Sequence, residues 1–241
     1  MCDMRLDKFL TSQNICTRSE SKKIVRAGRV FINGTAAASS DEKIDPERDI
    51  IEVDGKVISY RKYIYIMMNK PEGVLSATTD KNTPTVLDIL PSDYRRRGLF
   101  PAGRLDKDTT GLLIITDDGE FAHKMLLPKN GIYKRYIATL DKELSDEGKA
   151  MLEKGVTISD STAYRPARIF FNDESRRTVT AEITEGKFHE VKNMFSYVGC
   201  EVVKLKRISI GGLELDGNLS AGEARLISEK ELKAIFDSHI S

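Results

Sequence analysis

The chain has few of the residues from which disulfide frameworks and metal clusters are built. Its three cysteines, Cys2, Cys16 and Cys200, lie far apart, are odd in number and form no C-x-x-C pair. That pattern excludes a disulfide scaffold and offers no zinc-ligand spacing, so no metal is expected and a reducing cytosol suits the thiols. The first thirty residues contain no apolar run of signal-peptide or membrane-spanning length, and a soluble, cytoplasmic protein without membrane contact is expected. Internal repeats and low-complexity segments are also missing. Net charge is almost absent: 38 Lys and Arg against 37 Asp and Glu leave +1, a total that by itself speaks against a nucleic-acid binder.

The charges that are present are segregated. Residues 1–30 hold seven basic and three acidic side chains, residues 31–60 three basic and seven acidic ones. One surface of the N-terminal region is therefore expected to be basic and another acidic, a polarity that favours docking on a polyanion in one orientation. With 241 residues, 40% of them hydrophobic, the chain suits a small module of residues 1–60 followed by a larger domain of residues 61–241.

Periodicity fills in the elements. Leu6, Phe9 and Leu10 share a helical stripe. Thr17 and Glu20 make a capping box and Gly28 a stop, predicting a helix over 18–27 whose outer face carries Lys22, Lys23 and Arg26. Short strands over 29–32 and 49–53 end at the turn dipeptides Asn33-Gly34 and Asp54-Gly55. Beyond the joint Tyr60-Arg61-Lys62-Tyr63, strands are expected over 64–68, 112–116, 136–140, 167–171, 178–184, 202–210 and 224–227. Helices are expected over 119–127, 146–154 and 189–198, with a last one opened by the Ser228–Glu231 capping box. Many hairpin-joined strands punctuated by a few helices read as α+β with a mostly antiparallel mixed sheet.

Three stretches can carry chemistry. Residues 100–111, Phe-Pro-Ala-Gly-Arg-Leu-Asp-Lys-Asp-Thr-Thr-Gly, form a polar loop before an apolar strand, with glycines that permit close approach and two carboxylates, Asp106 and Asp108, for nucleophilic or acid–base work. Residues 185–195 pass through a glycine turn into a helix. Val191, Met194, Phe195 and Val198 share its inner face, leaving His189, Lys192 and Asn193 to reach another surface, where a lysine can pair with a carboxylate and keep it ionised. Tyr133-Lys134-Arg135-Tyr136 sets aromatic rings beside cations, a combination that stacks on a base while meeting phosphates. Arg95-Arg96-Arg97 is a further short cationic run.

Together these residues resemble the pseudouridine synthases of the small-subunit ribosomal type, the RsuA family, over nearly the whole chain. Residues 4–10 (Met-Arg-Leu-Asp-Lys-Phe-Leu), Thr17-Arg18-Ser19 and Arg29 to Gly34 are similar to the RNA-binding domain first described in ribosomal protein S-four. Asn69-Lys70-Pro71-Glu72-Gly73 resembles the family's Asn-Lys-Pro-x-Gly turn. Gly103-Arg104-Leu105-Asp106, continued by Thr109 to Leu113, resembles its catalytic motif, and Lys134-Arg135-Tyr136 its Lys-x-Tyr motif. The helix near His189 is similar to its third motif, and Leu219, Gly222-Glu223 and Arg225-Leu226 to its closing segment.

The resemblance implies an S-four-like RNA-binding domain ahead of a catalytic domain that isomerises uridine in ribosomal RNA. It implies Asp106 as the essential aspartate, Tyr136 as the ring that stacks on the target base and Lys192 as the aspartate's basic partner. Arg104 is implied to hold the place of the extruded nucleotide. RNA contacts are expected from Arg5, Lys8, Arg18, Lys22, Lys23, Arg26 and Arg29 in the first module and from Lys134 and His189 in the second. Lysine at 192 with His189 three residues earlier looks closer to the small-subunit branch, so 16S rRNA or a small-subunit assembly intermediate is the expected partner of a monomeric enzyme. The isomerisation has no redox change and needs no cofactor.

Three alternatives remain open at this point. One is a large-subunit 23S rRNA enzyme of the same family. Another is a non-enzymatic RNA-binding assembly factor. The last is a phosphoaspartate loop around Asp106, which requires magnesium and a parallel sheet.

Overall fold

The structure, a computed structural model, describes residues 3–158 and 162–237. Cys2 lies outside the described residues; Cys16 and Cys200 are free thiols. The chain forms two compact units. The first runs to Ile64 and takes in Ser92–Gly98, a segment that no sequence pattern sets apart from the second unit.

The first unit contains β1 (Met4–Arg5), α1 (Leu6–Ser12), α2 (Arg18–Arg26), β2 (Val30–Ile32), β3 (Thr35–Ala36), β4 (Lys43–Ile44), β5 (Ile51–Val53) and β6 (Lys56–Val57). The capping box at Thr17 and Glu20 forms as the sequence requires, each side chain meeting the other residue's backbone N–H. Asn33-Gly34 and Asp54-Gly55 take φ values of 51°, 80°, 52° and 75°. These successive left-handed residues turn β2 into β3 and β5 into β6 with the twist a two-residue hairpin needs. A four-stranded sheet of order β3-β2-β5-β6 packs with the helices around Leu6, Phe9, Leu10, Val25, Val30 and Ile51.

The second unit is built on a nine-stranded sheet whose main path is β13-β14-β10-β15-β9-β7-β17. In chain order its elements begin with β7 (Tyr65–Lys70), β8 (Phe100–Ala102), β9 (Thr110–Thr116), α3 (Gly119–Leu126), β10 (Lys134–Leu140) and α4 (Asp146–Lys154). The small hairpin of β11 (Val156–Thr157) and β12 (Ala163–Tyr164) follows, then β13 (Arg168–Phe171) and β14 (Thr178–Ile183). The chain closes with α5 (Glu190–Tyr197), β15 (Val202–Ile210), β16 (Leu213–Glu214), β17 (Ala224–Leu226) and α6 (Glu229–Ala234). The pairings are antiparallel except β15 with β9, so the sheet is mixed and mostly antiparallel.

Leu112 to Ile115 on β9 are fully buried. Because side chains alternate across a strand, such a run marks a central strand covered on both faces. On one face Leu112 and Ile114 join Met67 and residues of α3 in a continuous core.

One expectation needs correction. The stretch from Phe100 is not a polar loop throughout: Phe100–Ala102 is strand β8, antiparallel to β9, and the loop proper begins at Gly103. Since β7 lines one edge of β9 along its whole length, β8 and β15 share the other edge, β8 at Ile114–Thr116 and β15 at Thr110–Gly111. The 103–109 loop leaves the sheet where those two strands meet end to end. Gly111 is what permits β15 there: it has φ 99°, and a Cβ would overlap the Arg207 backbone.

Candidate active site

The 103–109 loop is held from below by the turn after β7. Lys70, the last residue of that strand, is fully buried, and its ammonium donates to the carbonyls of Pro71 (3.0 Å), Lys107 (3.2 Å) and Thr109 (2.9 Å). Burial lowers its pKa to about 8 against the opposing pull of Asp108 and Asp106. Gly73 N–H donates to the Lys107 carbonyl (2.8 Å) and Ser76 Oγ both donates to and accepts from the Leu105 backbone (3.0 and 3.1 Å). Asp106 thus projects from a loop whose backbone is fastened on both sides.

Helix α5 brings the opposite charge. Lys192 Nζ lies 3.3 Å from Asp106 Oδ2 and 2.6 Å from Asp108 Oδ1. Burial pulls the Lys192 ammonium down, but the hydrogen bond to Asp108 and the charge of Asp106 outweigh it and its pKa stands above the ordinary value. The same hydrogen bond holds the Asp108 carboxyl below the usual range. His189, the residue just before α5, sets Nε2 3.5 Å from Asp106 Oδ1. It does so from a left-handed backbone, φ 50°, a conformation that costs energy for any residue but glycine and gathers at functional sites.

Tyr136 comes from β10, is 7% exposed, and lines one cleft with Asp106, Lys192, His189 and Arg104. An adjoining hollow of about 430 Å³ shares Asp106, Tyr136, His189 and Arg104 and reaches Lys134 and Arg207, a volume of the size that takes a small ligand or one nucleotide. Arg104 is exposed and, among the described residues, makes no hydrogen bond or ion pair.

The other expected RNA contacts are distributed unevenly. Lys8, Lys22, Lys23 and Arg26 are exposed on the first unit. Arg5 and Arg18 converge instead on the buried carboxylate of Asp7, at 3.0 and 3.1 Å, and Arg29 is clasped by Asp54 at 2.6 Å; these three guanidinium groups are engaged within the unit while their side chains stay half-exposed or more. Burial of Asp7 works against its ionisation, yet the two arginines hold its pKa below the usual range. Lys134 is not on the surface: it is 4% exposed, donates to the Thr184 carbonyl at 3.2 Å, and burial with the neighbouring Arg207 charge brings its pKa to about 8.

Two residues of the site escaped the sequence reading. Lys70 reads in the sequence only as part of a turn; its position at the end of a strand pairing with central β9 is the signal that it is buried. Arg207 is the other. It stands on β15 opposite Tyr136 and Gly111, is 4% exposed, and donates from Nε to the Leu112 carbonyl (2.8 Å) and from Nη1 to the Tyr136 hydroxyl (3.4 Å). Its Nη2 has no partner among the described residues. The alternation Leu205, Arg207, Ser209 in a strand could have revealed an arginine facing inward.

The family profile for RNA pseudouridylate synthase matches residues 64–197, and that for the S4 domain residues 4–51. An uncharacterized RNA pseudouridine synthase of Bacillus subtilis, YtzG, is 46% identical over 231 residues, 95% of this chain and 97% of the relative. Ribosomal small subunit pseudouridine synthase A of Escherichia coli K12 is 35% identical, over 96% of this chain and 100% of its own length. A crystal structure of a pseudouridylate synthase shares the fold with a TM-score of 0.66 at 33% identity, covering 96% of this chain and 99% of that one. Shared sequence over nearly the full length, a shared fold, and a carboxylate, a cation and a tyrosine at one cleft lead to one conclusion: the chain belongs to the RNA pseudouridylate synthase family and carries an S4 domain before its synthase domain.

Proposed function

We propose that this enzyme isomerises one uridine of 16S rRNA, free or in a small-subunit assembly intermediate, with Asp106 acting on the ribose, Lys192 as its basic partner and Tyr136 stacking on the uracil. The observation that carries the reading is the gathering of these three side chains at one cleft, with Lys192 3.3 Å from Asp106. Relatives named ribosomal small subunit pseudouridine synthase A, 37% and 35% identical over nearly the whole chain, support the choice of 16S rRNA.

The reaction breaks the bond from ribose C1′ to uracil N1, turns the base, joins C1′ to C5, and moves a proton from C5 to solvent while N1 gains one. A uridine inside a stack or loop must first be extruded, at roughly a few kcal/mol. A ring such as Tyr136 returns about 1–3 kcal/mol of that by stacking, and Arg207, donating to the phenol oxygen, fixes its orientation. Asp106 then serves as an anion, by attack on C1′ or by taking the C2′ proton to give a glycal. Either role uses a carboxylate anion, and the Lys192 ammonium 3.3 Å away stands beside it as counter-charge. Arg104, exposed and without a partner among the described residues, fills the gap in the RNA stack. In this reading the enzyme works as a cytoplasmic monomer.

The test is release of tritium from 16S rRNA labelled at uridine C5, with 23S rRNA as comparison. The wild-type protein releases tritium from 16S rRNA or its assembly intermediates, and Asp106→Asn binds RNA without release. Undiminished release by the variant refutes the role of Asp106. Release confined to 23S rRNA refutes the small-subunit assignment.

A further inference from the structure

Phe188 is among the exposed large apolar side chains of the chain, at 72%. It stands at the mouth of the hollow that also contains Tyr136 and Asp106. Its ring lies flat on the His189 imidazole, centroids 3.7 Å apart and planes 20° from parallel. His189 covers one face of the ring, and the high exposure leaves the other in water.

The ring does not sit on a loose loop. Glu190, itself buried, accepts the Lys187 N–H at 2.8 Å. Asn193 Nδ2 donates to the Phe188 carbonyl at 3.3 Å and to the Tyr164 hydroxyl at 2.9 Å. The backbone of His189, next in the chain, is left-handed at φ 50°. An apolar ring fixed in this way, with one face wet, loses little conformational freedom when a flat partner covers it.

The cleft therefore has two rings at two depths. Tyr136, nearly enclosed, suits a base taken fully out of the RNA. Phe188, at the mouth, suits a base that remains in the strand. We propose that Phe188 is a second stacking platform, taking a nucleobase that neighbours the extruded uridine. The chemistry asks for an unpaired or splayed nucleotide beside the target, and any base satisfies it, because each has a flat π-face. The inference rests on the cleft being the uridine site; it is independent of which ribosomal RNA is modified.

The chain has no tryptophan, so Phe188→Trp places a single indole at the position and its emission reports stacking directly. The variant is titrated with 16S and 23S rRNA transcripts, with filter retention measuring binding in the same samples. Emission is expected to fall as binding saturates on whichever transcript the enzyme modifies. In turnover assays Phe188→Ala is expected to raise KM by roughly 5- to 140-fold, the range for loss of one base–aromatic stack, with kcat nearly unchanged and Phe188→Tyr close to wild type. Unchanged indole emission at saturating bound RNA overturns the proposal. So does a Phe188→Ala enzyme that loses kcat at constant KM, since the ring then serves only to seat His189. Because the reporter follows binding to either transcript, a failed 16S assignment shows as quenching by 23S rRNA, distinct from quenching by neither.

Discussion

Lys70→Met removes the ammonium under the 103–109 loop while keeping a side chain of similar length. Three carbonyls, of Pro71, Lys107 and Thr109, lose a charged donor. Each buried acceptor left unmet costs about 1–3 kcal/mol, but the variant no longer buries a charge, whose effective penalty is several kcal/mol. The two largely offset, and a net loss of about 1–3 kcal/mol in urea unfolding is expected. Catalysis should suffer more. Lys107 and Thr109 follow Asp106 closely in the loop, and a displacement of about 1 Å at a reacting group costs on the order of 100-fold in rate.

The pH dependence separates this role from general stability. Burial places the folded pKa of Lys70 at about 8, below its ordinary 10.5. Between those values the folded protein has released a proton that the unfolded chain still holds, so this group makes stability rise with pH across that window. Activity moves the other way and falls as pH passes about 8, because a neutral amine grips the loop carbonyls less strongly. Tritium release against pH, with unfolding followed in the same buffers, reads both. Lys134, also at about 8, is tested by Lys134→Met. An alkaline limb that survives in Lys70→Met, or a Lys70→Met enzyme with wild-type kcat and unfolding midpoint, refutes the reasoning.

Two further outcomes are expected. Charge reversal at Lys22, Lys23 and Arg26, exposed on α2, should weaken RNA binding and flatten its salt dependence by up to about three units of log–log slope, leaving turnover of bound RNA intact; filter binding at several salt concentrations checks it. Gly111→Ala should be severely destabilising, because a Cβ there meets the backbone of Arg207 with which it pairs and φ is 99°; a thermal unfolding midpoint equal to wild type would show that β9 and β15 separate at little cost.

Much of the local structure was legible because local chemistry determines it. The capping boxes at Thr17–Glu20 and Ser228–Glu231 start helices where the sequence places them. The Asn-Gly and Asp-Gly turns close hairpins, and the apolar run Leu112–Ile115 is a buried strand. Phe100–Ala102 was hidden because three residues, one of them proline, carry no readable alternation, and only their pairing with β9 makes them a strand. The engagement of Arg5 and Arg18 by Asp7 was hidden for another reason: charge counting places arginines on a basic face without showing that a buried carboxylate gathers them.

For the site itself, the sequence alone determined which groups are chemically able to act, because Asp106, Lys192 and Tyr136 stand in short motifs whose neighbours are legible one by one. Only the tertiary structure decided that Lys192 also binds Asp108, that His189 reaches Asp106, that Lys70 lies beneath the loop and that Arg207 meets Tyr136. Those contacts join residues 37 to 84 positions apart, and each depends on strand order and register across the sheet, above all on the parallel pairing of β9 with β15. Side-chain periodicity carries no record of which strand becomes the neighbour of which; packing the whole chain does.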